Sequence, residues 1–250
     1  MTPAAARAIL LDIEGTTTPV SFVTGVLFPY ARRHLRSHLE MHGESYEPLV
    51  ARDEPLVARF RDEHVADCSR GETLPAWEEE PRSARWAAVA AYAEWLMDRD
   101  RKSSALKELQ GKIWEDGYRR GELVGDLFPD VRPALERWHE RDRPVGIFSS
   151  GSVLAQQLLF RHSISGDLTG FLRWYFDTRV GTKVDPASYR RIATAAETPA
   201  ESFLFLSDVP NELTAAKAAG MQVRLVVRPG NAPVLQEHSF EVIHSLDEVI

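Results

Sequence analysis

Four short stretches of this sequence hold side chains able to do chemistry in concert. The first is Asp12-Ile13-Glu14-Gly15-Thr16-Thr17. Alternation along a strand would put its two carboxylates on one side, and the glycine permits a tight turn behind them. The second, Ser149-Ser150-Gly151-Ser152, offers hydroxyls and N–H groups that can cradle an anion at a helix start. The third, Gly181-Thr182-Lys183-Val184-Asp185-Pro186, supplies an ammonium that can neutralise a phosphoryl oxygen. The fourth, Ser207-Asp208-Val209-Pro210-Asn211-Glu212, sets one acid after an apolar run and another a helical turn later. Together they meet the needs of phosphoryl transfer. A carboxylate can attack phosphorus and form an aspartyl-phosphate. A second acid can move the leaving-group proton and activate water. Lysine, hydroxyls and N–H groups can hold the equatorial oxygens. Asp12 and Asp208 can share a hard divalent cation, best Mg²⁺, without which the attacking carboxylate and the phosphate would repel each other. Taken singly, each stretch has a plainer reading: a strand end, a serine N-cap, a solvated lysine. Their order along the chain is the informative part.

The elements that must position them follow from the apolar runs. Residues 8–13, 145–148, 174–176, 203–206 and 222–227 read as nearly continuous apolar strands, the pattern of a parallel sheet covered on both faces. Helical patterns over 131–142, 153–162, 186–197 and 211–219 separate them, the last stopping at Gly220. This alternation predicts an α/β fold, a doubly wound parallel sheet. All four stretches then sit at strand ends or nearby loops along one crevice. From about residue 25 to residue 125 the texture changes and no strand pattern is convincing. Trp86, Val89, Ala90, Ala93 and Met97 share one helical face, and Leu106, Leu109 and Ile113 another, with Ser103 or Ser104 as a cap. The expected division is an α/β core from 1–24 and 122–250, with an all-helical cap, 25–121, inserted after the first strand. An insertion at the carboxyl end of a strand would serve as a lid. The near-identical segments 47–53 and 54–60 read as a local duplication, with Pro55 in the first turn of a helix.

Composition narrows the function class. Thirty Lys and Arg against 37 Asp and Glu give a net charge of −7, which argues against wrapping a nucleic acid. The 44% hydrophobic and 27% charged content is that of a globular protein. A single cysteine, Cys68, allows no intrachain disulfide and no cysteine-built metal site. The longest uncharged stretch, 144–160, is too short and polar to span a bilayer. Asp12 and Glu14 interrupt the only apolar run near the start, so no signal peptide is read there and a cytoplasmic protein is expected. His34, His38 and His42 stand at i, i+4 spacing; with no cysteine cluster or further ligand evident, they are read as a solvated helix face. Trp77, Trp86, Trp95 and Trp114 read as helical core, and Glu78-Glu79-Glu80 as a solvated loop.

The motifs Asp12-x-Glu14-Gly15-Thr16, Ser149, Lys183 and Asp208 with Glu212, met in this order, resemble those of the haloacid dehalogenase superfamily. The narrower stretches Asp-Ile-Glu-Gly-Thr-Thr-Thr-Pro at 12–19, Leu-Lys-Glu-Leu-Gln-Gly-Lys-Ile-Trp at 106–114, Ser-Ser-Gly-Ser at 149–152 and Leu-Ser-Asp-Val at 206–209 resemble its enolase-phosphatase branch. The likeness runs from residue 9 to residue 229. Most of the superfamily's phosphatases have Asp where this chain has Glu14; the longer acid is similar to this branch. The resemblance implies Asp12 as nucleophile and Mg²⁺ ligand, and Glu14 as general acid/base that also reaches the metal through its carbonyl. It implies phosphate binding by Ser149, Ser150 and Lys183, Mg²⁺ binding by Asp208, and support from Thr16 and Glu212. The implied substrate is 2,3-diketo-5-methylthiopentyl-1-phosphate, enolised and then dephosphorylated to an acireductone by a monomeric enzyme. Lys112, Glu115 and Glu122 are candidates for removing the carbon proton, though an exposed helix face accounts for them more simply. Competing readings are another capped phosphatase acting on a small sugar phosphate or phosphoglycolate, a non-catalytic phospholigand sensor, and a receiver-type module.

Overall fold

The sheet opens with β1 (Ala8–Leu11), four apolar residues that are all buried. In the computed structural model, which describes residues 6–42, 56–234 and 238–250, β1 stops at Leu11, two residues before the sequence pattern suggests. The backbone N–H groups of Thr16, Thr17 and Thr18 all return to the Ile13 carbonyl at 2.9–3.1 Å. A tight turn therefore replaces strand alternation as the device that aims Asp12 and Glu14. Segment 47–53 and Pro55 lie outside the described residues.

After one helical turn, α1 (Val20–Phe22), the chain builds α2 (Phe28–His42), α3 (Leu56–Ser69), α4 (Arg82–Asp98) and α5 (Ser104–Arg119). These belong to a compact unit spanning Leu27–Arg119, with no strand among its described residues. Trp86, Val89, Ala90 and Ala93 of α4 and Leu106, Leu109 and Ile113 of α5 are buried. Ser103 Oγ accepts the Leu106 N–H at 3.0 Å and caps α5. Cys68 is exposed.

The second unit comprises Met1–Val26 and Arg120–Ile250. Along it run α6 (Val131–Glu140), β2 (Val145–Phe148), α7 (Val153–Arg161), β3 (Leu172–Phe176), α8 (Pro186–Ala195), β4 (Phe203–Ser207), α9 (Pro210–Ala218), β5 (Gln222–Val226) and β6 (Val242–Ile243). The sheet order is β3-β2-β1-β4-β5-β6, with every pairing parallel. β6 has no counterpart in the sequence reading, because two residues carry no periodicity. Gly220 follows α9 with φ +98°, the left-handed stop that glycine adopts freely.

Strand order reverses at β1. Its register brings Leu11 beside Ile147 on one side and Leu206 on the other. The carboxyl ends of β2, β1 and β4 are thus neighbours, and the crevice beyond them is where such sheets bind ligands. Beneath it, Leu10, Phe148, Phe205, Tyr189 and Leu213 form a buried apolar layer. The described helices include none long and apolar enough to cross a membrane.

Candidate active site

Asp12 directly follows β1, and its N–H donates to the Leu206 carbonyl at 3.0 Å. The side chain is almost wholly buried, a costly place for a carboxylate unless a cation meets it. Lys183 is that cation. Its Nζ lies 2.5 Å from Asp12 Oδ1 and 2.6 Å from Glu212 Oε2. The plain surface reading of Lys183 is thereby corrected, since its side chain is only 10% exposed. The lysine comes from the loop between β3 and α8, where Asp185 caps α8. Tyr189 OH donates to the Lys183 carbonyl at 2.7 Å and holds that loop in place.

Asp208 follows β4, and Glu212 sits in the first turn of α9. Ser207 Oγ lies 2.9 Å from Glu212 Oε2 and 3.3 Å from Asp12 Oδ2, and accepts the Val209 N–H at 3.1 Å. A hydroxyl has one proton to give, and the shorter contact assigns it to Glu212. On the β2 side, Ser149 Oγ accepts the Gly151 N–H at 3.1 Å. Ser152, not Ser149, is the N-cap of α7. Ser149 and the exposed Ser150 are therefore left to face the crevice.

One pocket of about 160 Å³ is lined by Asp12, Glu14, Ser149, Ser150, Lys183, Asp208 and Glu212, with Val20 and Val209. Of the side chains singled out from sequence, Thr16 stands apart. It is fully buried, and its carbonyl accepts from Arg228. Lys112 and Glu115 lie on α5 of the helical unit, and the exposed Glu122 pairs with Arg120 at 3.0 Å.

The loop after β1 is held by residues the sequence reading missed. Arg228 donates from Nε and Nη2 to the Thr16 carbonyl at 3.2 and 3.1 Å. It also pairs with Asp130 at 2.7 Å. Asn231 Nδ2 donates to the Gly15 carbonyl at 2.9 Å. A charged residue directly after the run 222–227 was the available signal, because a guanidinium there is costly without partners. Ser207 stood in the Leu-Ser-Asp-Val motif without a role.

Asp12 and Glu212 share one ammonium, whose charge also reaches Asp208. Burial, reinforced by the charge of Asp12, pushes Asp208 up to about 7, and the same two causes push Glu212 up to about 7; Lys183 opposes both. Burial alone would lower the Lys183 ammonium, but Asp12 and Glu212 outweigh it and hold it above its ordinary value. The residues fit a hard divalent cation on three counts. Negative charge is in surplus. Asp208 Oδ1 is buried with no hydrogen-bond partner among the described residues. All the donors are oxygens, as Mg²⁺ prefers.

Gly15 makes this approach possible. Its φ is +73°, and a Cβ there would collide with Asp208 Oδ2. Gly15→Ala is expected to cost about 1–2 kcal/mol for the left-handed backbone. The larger effect is displacement of Asp208, which should lower turnover at this pocket roughly a hundredfold and weaken its binding of a divalent cation. Unchanged divalent-cation affinity would show that Asp208 does not need this close approach.

Comparisons with known proteins bear on this geometry. A family model described as haloacid dehalogenase-like hydrolase matches residues 6–220. The enolase-phosphatase E1 of Synechococcus elongatus is 48% identical over 247 residues, covering 99% of both chains. That of Caenorhabditis elegans is 42% identical over 98% of this chain and 97% of its own. Among solved structures, the UTR4 protein of Saccharomyces cerevisiae superposes with a TM-score of 0.73 at 31% identity, covering 96% of this chain and 98% of that one. CbbY from Rhodobacter sphaeroides in complex with phosphate, at 18% identity and a TM-score of 0.53, shares the fold.

Proposed function

Because the chain belongs to the haloacid dehalogenase-like hydrolases, and along its length to the enolase-phosphatase E1 group within them, we propose that enolisation and phosphate release share one pocket with Asp12 as the nucleophile. The protein is a phosphoric monoester hydrolase with enolase activity, the acireductone synthase of methionine salvage. Its substrate is 2,3-diketo-5-methylthiopentyl-1-phosphate, which is enolised and then dephosphorylated to the acireductone.

An Asp12 carboxylate oxygen attacks phosphorus, and the phosphorus–oxygen ester bond breaks. Glu14 gives a proton to the departing enol oxygen, leaving an aspartyl-phosphate on Asp12. Glu14 then takes a proton from the water that attacks this phosphorus, and Asp12 is freed with release of phosphate. Lys183 and the hydroxyls of Ser149 and Ser150 hold the equatorial oxygens as charge spreads over them. Glu212 and Ser207 keep the ammonium in place. Asp12, Asp208 and the Glu14 carbonyl would hold Mg²⁺, which supplies charge neutralisation between carboxylate and phosphate and polarisation of the carbonyl beside the reacting carbon. The same reading takes the enzyme as a cytoplasmic monomer.

The observation that supports this reading most is the convergence of Asp12, Glu14, Lys183 and Asp208, from three separate stretches of chain, on one pocket. Its test offers the diketone phosphate and follows absorbance and free phosphate together. An enol-like absorbing species should precede phosphate. Chelator should stop phosphate release, and Mg²⁺ should restore it. Phosphate released with no preceding absorbing species would remove the enolase step. Full activity in chelator would remove the metal.

A further inference from the structure

The helical unit holds a cluster of ligand-type side chains that the proposed reaction does not use. His38 and His42 lie one turn apart on α2, so their imidazoles share a face. The solvated-face reading fails for His38, which is 5% exposed, while His34 stacks on Tyr30 at 4.2 Å and takes no part. Asp116, on α5, is also buried. Its Oδ2 lies 2.9 Å from His38 Nδ1 and 3.3 Å from His42 Nε2. The three candidate ligand atoms lie within 4.8 Å of one another. The carboxylate that the sequence did not reveal is thus 74–78 residues away in the chain and beside both rings in space.

We propose that His38, His42 and Asp116 form a zinc site joining the end of α2 to α5, with water as the fourth ligand. Two imidazoles and one carboxylate with an open position is a ligand set that Zn²⁺ accepts. With bonds of about 2.0–2.1 Å, tetrahedral ligand atoms lie about 3.3 Å apart, close to the two nitrogen–oxygen separations here. The two ring nitrogens must close up as the ion enters. His42 can supply that motion, because it is the last residue of α2 and its side chain is 41% exposed. The carbonyl end of α2 adds a field favourable to a cation. Arg119 pairs with Asp116 Oδ1, which orients the carboxylate so that Oδ2 faces the rings, as partners beyond the ligands do in metal sites. Arg119 also places a positive charge nearby, but that side chain is 69% exposed and well screened.

The test is equilibrium dialysis of untagged full-length protein against Zn²⁺ in excess Mg²⁺, repeated with Co²⁺ as a visible probe. It compares the wild type with His42→Ala, Asp116→Asn and Asp208→Asn. His42→Ala is the primary variant because a half-exposed helix end tolerates truncation, and Asp116→Asn keeps the buried shape. One equivalent of Zn²⁺ should bind both the wild type and Asp208→Asn. Affinity should fall at least about tenfold in His42→Ala and Asp116→Asn. Co²⁺ should give the intense visible band of a tetrahedral ion only where His42 and Asp116 are present. Zn²⁺ should raise the melting temperature of the wild type and not that of His42→Ala. Zinc affinity equal in the wild type and His42→Ala, binding that disappears only in Asp208→Asn, or no stoichiometric binding would each overturn the proposal.

Discussion

Asp12→Asn is expected to lower phosphate release by at least about 10⁴-fold, the scale seen when a covalent nucleophile is removed. The amide keeps the size of the side chain but cannot open the ester as a carboxylate does. The fold should survive and could gain. Asp12 and Glu212 are buried acids around a single ammonium, and the charge of Asp12 helps push Asp208 and Glu212 up to about 7. Replacing it leaves Lys183 paired with Glu212 at 2.6 Å and relieves that repulsion. The melting temperature should therefore equal or exceed the wild-type value, while substrate still binds. Mass spectrometry must accompany the assay to exclude deamidation back to Asp. Normal turnover in a verified Asp12→Asn preparation would sink covalent catalysis by Asp12.

Lys183→Met should lower both rate and stability, for separable reasons. Loss of a preorganised cation at the developing phosphoryl charge is expected to reduce kcat by roughly 10²–10³-fold. The fold loses the partner of two buried carboxylates, and breaking a buried pair costs about 3–5 kcal/mol when the remaining charge is stranded. Glu212 can escape part of that cost by taking a proton. Its pKa is already above the ordinary value and rises further without Lys183. A carboxyl with a raised folded-state pKa holds its proton more tightly in the native protein, so stability is greatest below the unfolded value and declines as pH rises through the folded one. The destabilisation of Lys183→Met should therefore be smaller near pH 5 than near pH 8. Adding Glu212→Gln should recover stability without recovering rate. Denaturant titrations of the single and double variants at both pH values separate the two roles. Equal destabilisation at both pH values would rule out Glu212 as the stranded charge.

The sequence alone determined the layout that makes these experiments meaningful. β1, β2 and β4 were legible because strands of a parallel sheet are buried on both faces and must be apolar throughout. α7, α8 and α9 were legible because Ser152, Asp185-Pro186 and Gly220 obey local rules that need no knowledge of the rest of the chain. The pocket's acids and serines were legible because chain order alone brings the ends of neighbouring strands together.

What tertiary structure decided is whatever depends on distance across the chain. Lys183 reads as surface until Asp12, 171 positions away, is seen beside it. Arg228 is marked locally only as a charge after an apolar run, and neither it nor Asn231 shows in its own stretch which carbonyls it holds, those of Thr16 and Gly15, 212 and 216 positions away. His38 changes from a solvated ring to a buried one beside Asp116. Strand and cap patterns record short-range sterics and burial. The partner of a buried charge is set by where the backbone returns, and the charge is tolerable in the interior only because that return brings an opposite charge or an oriented dipole within hydrogen-bond reach.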